Sequence, residues 1–267
     1  MYSDNFFKKS LFSTCVSCYR YCQDSFFHFF QMLIRQGARL AHAIREVTLT
    51  PNVTRSADGS CAIKAGNTHI LCTARLDTDD IGLHVSFGKL PSSEYPRISR
   101  ESVASSFETR DIQKAIHQSV SVALGCDVLK KVGIYLDCDV LESEGAIKTS
   151  CVSGGFVAAA LALSKWKTLL PSKLSLISPV AGISCGIIKG EMVIDLDHQE
   201  AEQAEVIGDF MCSSDEQIVG MDLNVQRYPV SLSVIEDMSK MALRGVKQIL
   251  AAQKLCLSSN SMSVRGS

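Results

Sequence analysis

Apolar and polar positions alternate first at residues 45–50 (REVTLT), the two-residue period of a half-buried strand. Residues 52–60 (NVTRSADGS) carry turn chemistry at Asp58-Gly59. SCAIKA (60–65) and THILCTARL (68–76) flank Gly66-Asn67 and predict a hairpin. A short strand is expected at 83–87, followed by a GKLP turn (88–91), whereas the polar stretch 92–107 predicts no element. From Thr109 the period changes: Ile112, Ala115, Ile116, Val120, Ala123 and Leu124 recur at three- and four-residue steps, an amphipathic helix ending near Gly125. A strand follows at 132–141 (VGIYLDCDVL), then a small-residue helix at 149–165 and a break at Pro171. Residues 180–188 and 191–196 form a second hairpin about Lys189-Gly190, with further strands near 204–212 and 216–224. A long helix is expected from Ser231 to about Leu255, its stripe set by Ile235, Met238, Met241, Ala242, Val246, Ile249 and Leu250. Hairpin connections favour an α+β architecture, a mixed sheet packed by helices, over alternating βαβ units.

Composition narrows the class. At 267 residues and 46% apolar the chain can bury a substantial core, and nothing in it marks a linker. Its formal net charge of −1 lacks the basic excess of most nucleic-acid binders, so cations for RNA must be gathered locally or on an oligomer. The 11 cysteines are scattered and odd in number, and Cys61, Cys72, Cys138, Cys151 and Cys185 fall inside apolar patterns. That reads as free buried thiols in a reducing, cytoplasmic setting rather than a disulfide framework. The apolar run FFHFFQMLI (26–34) is too short to span a membrane. A secretory signal lacks its basic start and small-residue cleavage site, and Cys15, Cys18, Cys22 and His28 have no second CxxC to complete a zinc site. Residues 1–33 are therefore expected to be a disordered leader or a mis-assigned start, with Met32 an alternative beginning, 34–258 the domain and 259–267 a disordered tail.

Three constellations could carry chemistry. The turn EGAIKT (144–149) opens a helix whose amides favour an anion; Lys148 adds a cation, and Thr149 could cap the helix or touch a ligand. The acidic run DLDHQEAEQAE (195–205) begins at Asp195 on a strand end and could hold Mg²⁺, or could be an ordinary solvated turn. Arg97, Arg100 and Arg110, near Lys114, could grip RNA phosphates, Arg97 and Arg100 on one helical face; they could equally pair with Glu94, Glu101 or Asp111. His69, His84, His117 and His198 show no metal spacing, and no P-loop, dinucleotide or G-x-S-x-G fingerprint is present.

In their order these motifs resemble bacterial ribonuclease PH. The resemblance rests on REVTLTPNVTRSADGSCAIKAGNTHILCTARL, FGKLP, the R-x-x-R-E of Arg97, Arg100 and Glu101, Thr109 to Lys114, LDCDVL, GEMVIDL and ALRGVKQILAAQK, collinear over about residues 45–255. It implies a ribosomal protein S5 domain 2-like fold in a hexameric ring, a trimer of dimers. It further implies a phosphorolytic 3′-to-5′ exoribonuclease, a tRNA nucleotidyltransferase, in which inorganic phosphate attacks the last linkage of a tRNA 3′ end. Such a site needs cations around the phosphate, with Mg²⁺ nearby, as charge moves between anions. The resemblance places Lys148, Thr149 and Arg110 at the phosphate, Asp195 at the catalytic and metal position, and Arg97 and Arg100 on the RNA.

The same correspondence exposes departures. The family's Gly-Thr-Arg phosphate turn is Ala146-Ile147-Lys148 here, and its arginine before the central helix is Glu108. Lysine is a point charge and does not replace a bidentate guanidinium. Each unit-charge interaction at ~4 Å and an effective dielectric of ~20 is on the order of 4 kcal/mol before screening. The second family aspartate is Ala201, the glycine-rich loop is shortened to 77–84, and an RNA-contacting arginine is Ser92. Glu200 or Glu202 could reach a metal, but on an extended segment side chains neighbouring position 201 point to the opposite face. The expectation is a phosphorolytic exoribonuclease of weak or lost activity, or, alternatively, a non-catalytic RNA-binding ring subunit of exosome type.

Overall fold

The computed structural model describes residue 35, residues 38–166 and residues 178–263. The expected leader, its cysteine cluster, Met32 and the Pro171 break lie outside them. The chain divides into two compact units, Met1–Ala41 and His42–Ser267. In the first, the Arg35 guanidinium donates to the carbonyls of Leu40 at 3.1 Å and Ala41 at 3.4 Å.

Nine strands form two sheets. β1 (Val47–Pro51), β2 (Gly59–Ala65), β3 (Thr68–Asp77), β4 (Gly82–Lys89) and β5 (Gly133–Glu142) make the first, in the order β1-β2-β3-β5-β4. β2 and β3 pair as the expected hairpin, with Ile63 opposite Ile70. β4 lies parallel to β5, so the chain between them must cross over. It does so through α1 (Arg100–Ser105), α2 (Phe107–Leu124) and the single turn α3 (Cys126–Leu129). The second sheet is antiparallel throughout, in the order β7-β6-β8-β9: β6 (Val180–Ile188), β7 (Glu191–Ile194), β8 (Val206–Ser213) and β9 (Ile218–Val225).

Helix α4 (Ile147–Lys165) packs on β2 and β3 of one sheet and β6 of the other. Its residues are small because both sheets approach it closely. A Cβ on Gly154 would meet Ile63 Cγ2 at 2.8 Å and Cys72 Sγ at 2.9 Å. The helix is long and apolar enough to cross a membrane by composition, but its surroundings are the protein's own core. Cys61, Cys72 and Cys138 stand opposite one another across β2, β3 and β5, buried and free like Cys151 and Cys185, as the apolar patterning implied.

Three expectations change. The polar stretch 92–107 contains α1, a helix with no buried residue and hence no hydrophobic stripe to betray it. The acidic run forms α5 (His198–Gln203), closed by a capping box: Asp197 Oδ1 accepts from Glu200 N at 2.8 Å and Glu200 Oε2 accepts from Asp197 N at 3.0 Å. It is not an extended segment. The last helix, α6 (Leu232–Ser263), runs past the expected end near Leu255 because the serine-rich stretch that follows contains no glycine or proline stop.

Candidate functional site

The turn before α4 is built by backbone conformations that most residues avoid. Gly145 has φ +101°, and Ala146, at φ +56°, sits in the left-handed region at the N-cap without a side-chain cap bond. Glycine is required at 145, where a Cβ would meet His198 N at 2.8 Å. Thr68 Oγ1 staples the turn to β3 by donating to Gly145 O at 2.7 Å and accepting from Glu144 N at 3.0 Å. On the other side His198 N donates to Glu144 O at 3.0 Å.

A cleft of about 430 Å³ opens at this turn. Glu108, Ala146, Ile147, Lys148 and Ala201 all line it, so the departures singled out in the sequence converge in one place. Thr149 does not line it. It is buried, and its hydroxyl donates to Ala146 O at 3.1 Å. Arg97, Arg100 and Arg110 are also outside the lining; Arg110 is exposed and donates to Ser105 O at 3.4 Å. Arg97 precedes α1 and Arg100 opens it, so they do not share a helical face.

Lys148, the cation of the turn, is caged. Its ammonium meets Asp111 at 2.6 Å, Asp222 at 2.5 Å and Asp209 at 3.3 Å. Burial works against its charge, but the three carboxylates, Asp209 foremost, hold it above the ordinary lysine range. Three carboxylates on one ammonium leave two negative charges over. Asp209 is accordingly pushed up, by burial first and then by Asp222 and Asp111 against the pull of Lys148. Asp209 and Asp222 are direct partners across β8 and β9, a like-charge pair that needs a cation between them.

Lys89 repeats the arrangement. Its side chain is 6% exposed and bridges Glu94 at 2.8 Å and Glu108 at 2.9 Å. The reversed charge at Glu108 therefore has a partner, and the cleft lining gains no free cation from either lysine. Glu94, Glu108, Asp111 and Asp209 against Lys89 and Lys148 leave it with two negative charges.

Asp195 lies behind this lining. Its two oxygens take Arg45 Nη2 at 2.6 Å and Nε at 3.0 Å, and its Oδ2 also accepts from Arg45 N at 2.6 Å. Both residues are buried, and the carboxylate, against the cost of burial, holds the guanidinium above its ordinary range. Asp197 and Glu200 are spent on the α5 cap and position 201 has no carboxylate. Among the described residues no group of three or more His, Cys, Asp or Glu side chains is arranged to hold a metal ion. This donor set does not fit Mg²⁺.

Sequence reasoning missed Arg45, Lys89, Asp111, Asp209 and Asp222. The available signal was charge spacing: Asp111 follows Glu108 by one helical turn, and Asp209 stands in an otherwise apolar strand.

A mixed sheet and an antiparallel sheet share one small-residue helix, with a cleft at that helix's start, and the sequence over this architecture matches a known family: residues 43–167 match the 3′ exoribonuclease family, domain 1, and residues 178–245 its domain 2. The chain belongs to this family, on its ribonuclease PH branch: it is 32% identical to ribonuclease PH of Roseobacter denitrificans over 233 residues, 83% of this chain and 98% of that protein. It is 30% identical to ribonuclease PH of Cereibacter sphaeroides over 239 residues, 84% and 100% of the two chains. Among solved structures it is similar in fold to rice (Oryza sativa) Rrp46, with TM-score 0.66, 13% identity and coverage of 82% and 98%. It is also similar to the Archaeoglobus fulgidus exosome with RNA bound to the active site, with TM-score 0.64, 15% identity and coverage of 81% and 91%.

Proposed function

We propose that this protein holds RNA 3′ ends as a ring subunit and that its own phosphate-dependent cleavage is weak or lost. One observation carries this reading: Lys148, the cation left in the phosphate turn, is occupied by Asp111, Asp209 and Asp222. An entering phosphate would have to displace these carboxylates or lie against them. At ~4 Å and an effective dielectric of ~20, each unit-charge contact of that kind costs about 4 kcal/mol before screening.

Half of the RNA grip implied by the family remains, Ser92 having replaced one arginine. Arg97 and Arg100 are exposed and make no ion pair among the described residues. The RNA class is the 3′ end of tRNA precursors, in keeping with the ribonuclease PH relatives, and the compartment is the cytoplasm. A six-membered ring, built as a trimer of dimers, is supported by the open edge of β9, where Ile218, Met221 and Val225 are exposed. Inorganic phosphate is the co-substrate only of whatever activity remains.

The test incubates the purified protein with a short tRNA bearing extra 3′ nucleotides, Mg²⁺ and phosphate, and measures RNA retention in parallel. The reading expects RNA bound and nucleoside diphosphates released slowly or not at all. Phosphate-dependent diphosphate release as fast as that of an active ribonuclease PH assayed in parallel would overturn it.

A further inference from the structure

Between the two carboxylates that share Lys89 the chain makes an excursion carrying two exposed aromatic rings. Because Glu94 and Glu108 both lie within 2.9 Å of one ammonium, the chain returns almost to its starting point. Tyr95 is the first residue after one anchor and Phe107 the last before the other, so each is next in sequence to a residue that lines the cleft. Tyr95 is 100% exposed and Phe107 82% exposed, extreme values for rings of this size.

The excursion is held by polar contacts rather than by a core. Ile98 N donates to Pro91 O at 3.1 Å, Ser99 Oγ caps α1, and Thr109 Oγ1 donates to Val103 O at 2.6 Å. Helix α1 buries none of its residues. The geometry is fixed while the apolar faces remain uncovered. Arg97 and Arg100 are exposed along the excursion against one outward carboxylate, Glu101, since Glu94 and Glu108 are drawn to Lys89.

Exposed rings interleaved with exposed arginines match a ligand with a regular negative backbone and flat apolar faces. We propose that Tyr95 and Phe107 stack bases of single-stranded RNA while Arg97 and Arg100 hold its phosphates. This rests on the RNA-holding reading above and adds to it the residues and the strand type. Stacking tolerates any sequence, because every base has a flat face. It rejects duplex RNA, whose bases are already stacked.

The test compares a short unstructured oligoribonucleotide, its duplex, and a ribose-phosphate chain of equal length without bases, by fluorescence polarisation. Tyr95→Ala and Phe107→Ala are expected each to weaken single-strand binding roughly five- to hundred-fold, the range for one stacked base, with Tyr95→Phe and Phe107→Tyr restoring it. They leave the weak binding of the baseless chain unchanged. Arg97→Ala with Arg100→Ala weakens both chains and flattens the salt dependence. If the alanine variants bind the single strand like wild type while the arginine variants lose it, the stacking inference falls and the RNA-holding reading stands. If wild type binds no RNA at low salt, both fall. A polyglutamate peptide that binds as tightly as RNA, and is lost in Tyr95→Ala, would also overturn the inference in favour of an acidic protein partner.

Discussion

Arg45 and Asp195, 150 residues apart in sequence, are joined by two guanidinium bonds of 2.6 and 3.0 Å and a backbone bond of 2.6 Å. The pair ties the chain before β1 to the end of β7, and it engages the carboxylate that the family resemblance places at the catalytic position. Arg45 Nη1 also reaches Glu144 O at 3.3 Å, so the same guanidinium steadies the turn that opens the cleft.

Removing either partner strands a buried charge. Arg45→Ala and Asp195→Ala are each expected to cost about 3–5 kcal/mol of unfolding free energy, measured by urea denaturation. The double variant should cost less than the sum, because the second change removes the charge the first left unpaired. A strictly additive cycle would refute the pairing.

Glu108→Arg, taken alone, should destabilise the protein. It sets a second cation against Lys89, whose side chain is almost fully enclosed. A loss of about 1–3 kcal/mol is expected, and Lys89→Met in the same chain should recover most of it, since Glu94 is free to turn to solvent. Restoring an arginine at this position therefore requires clearing its old partner, which thermal unfolding of the single and double variants would reveal.

Asp111→Asn combined with Asp222→Asn should release Lys148 from two of its three carboxylates. The surplus of two negative charges around Lys148 disappears with them. Weak, saturable phosphate binding is expected to appear in the double variant, read by phosphorus NMR, and to vanish again on adding Lys148→Ala.

Asp209 supplies a pH signature. Burial raises its folded value above the unfolded one, so the folded state keeps the proton longer as pH rises. Stability from this group is greatest below the unfolded value, near 3.9, and declines as pH rises through the raised folded value. Urea unfolding across the acid range should show wild type gaining on Asp209→Asn as pH falls; a constant difference would contradict the shift.

Much of this molecule was legible in its sequence. Both hairpins, the α2 stripe from Ile112 to Leu124 and the small-residue α4 follow from periodicity and turn chemistry, which are local. Glu108, Ala146, Ile147, Lys148 and Ala201 were placed by family position and do share one cleft. What sequence could not give is who neutralises whom. Lys89 read as part of a turn, Arg45 as the start of a strand, and Asp209 and Asp222 as unrelated residues, because their pairing depends on strand register and helix packing across long separations. Helix α1 and the α5 cap escaped for a different reason: helices of six residues with little buried surface leave no hydrophobic period.

The most direct measurement is a calorimetric titration of inorganic phosphate into the wild-type protein at low ionic strength. The caged Lys148 predicts no saturable heat through the millimolar range. A saturable, submillimolar site abolished by Lys148→Ala would show that the ammonium is available to an anion after all.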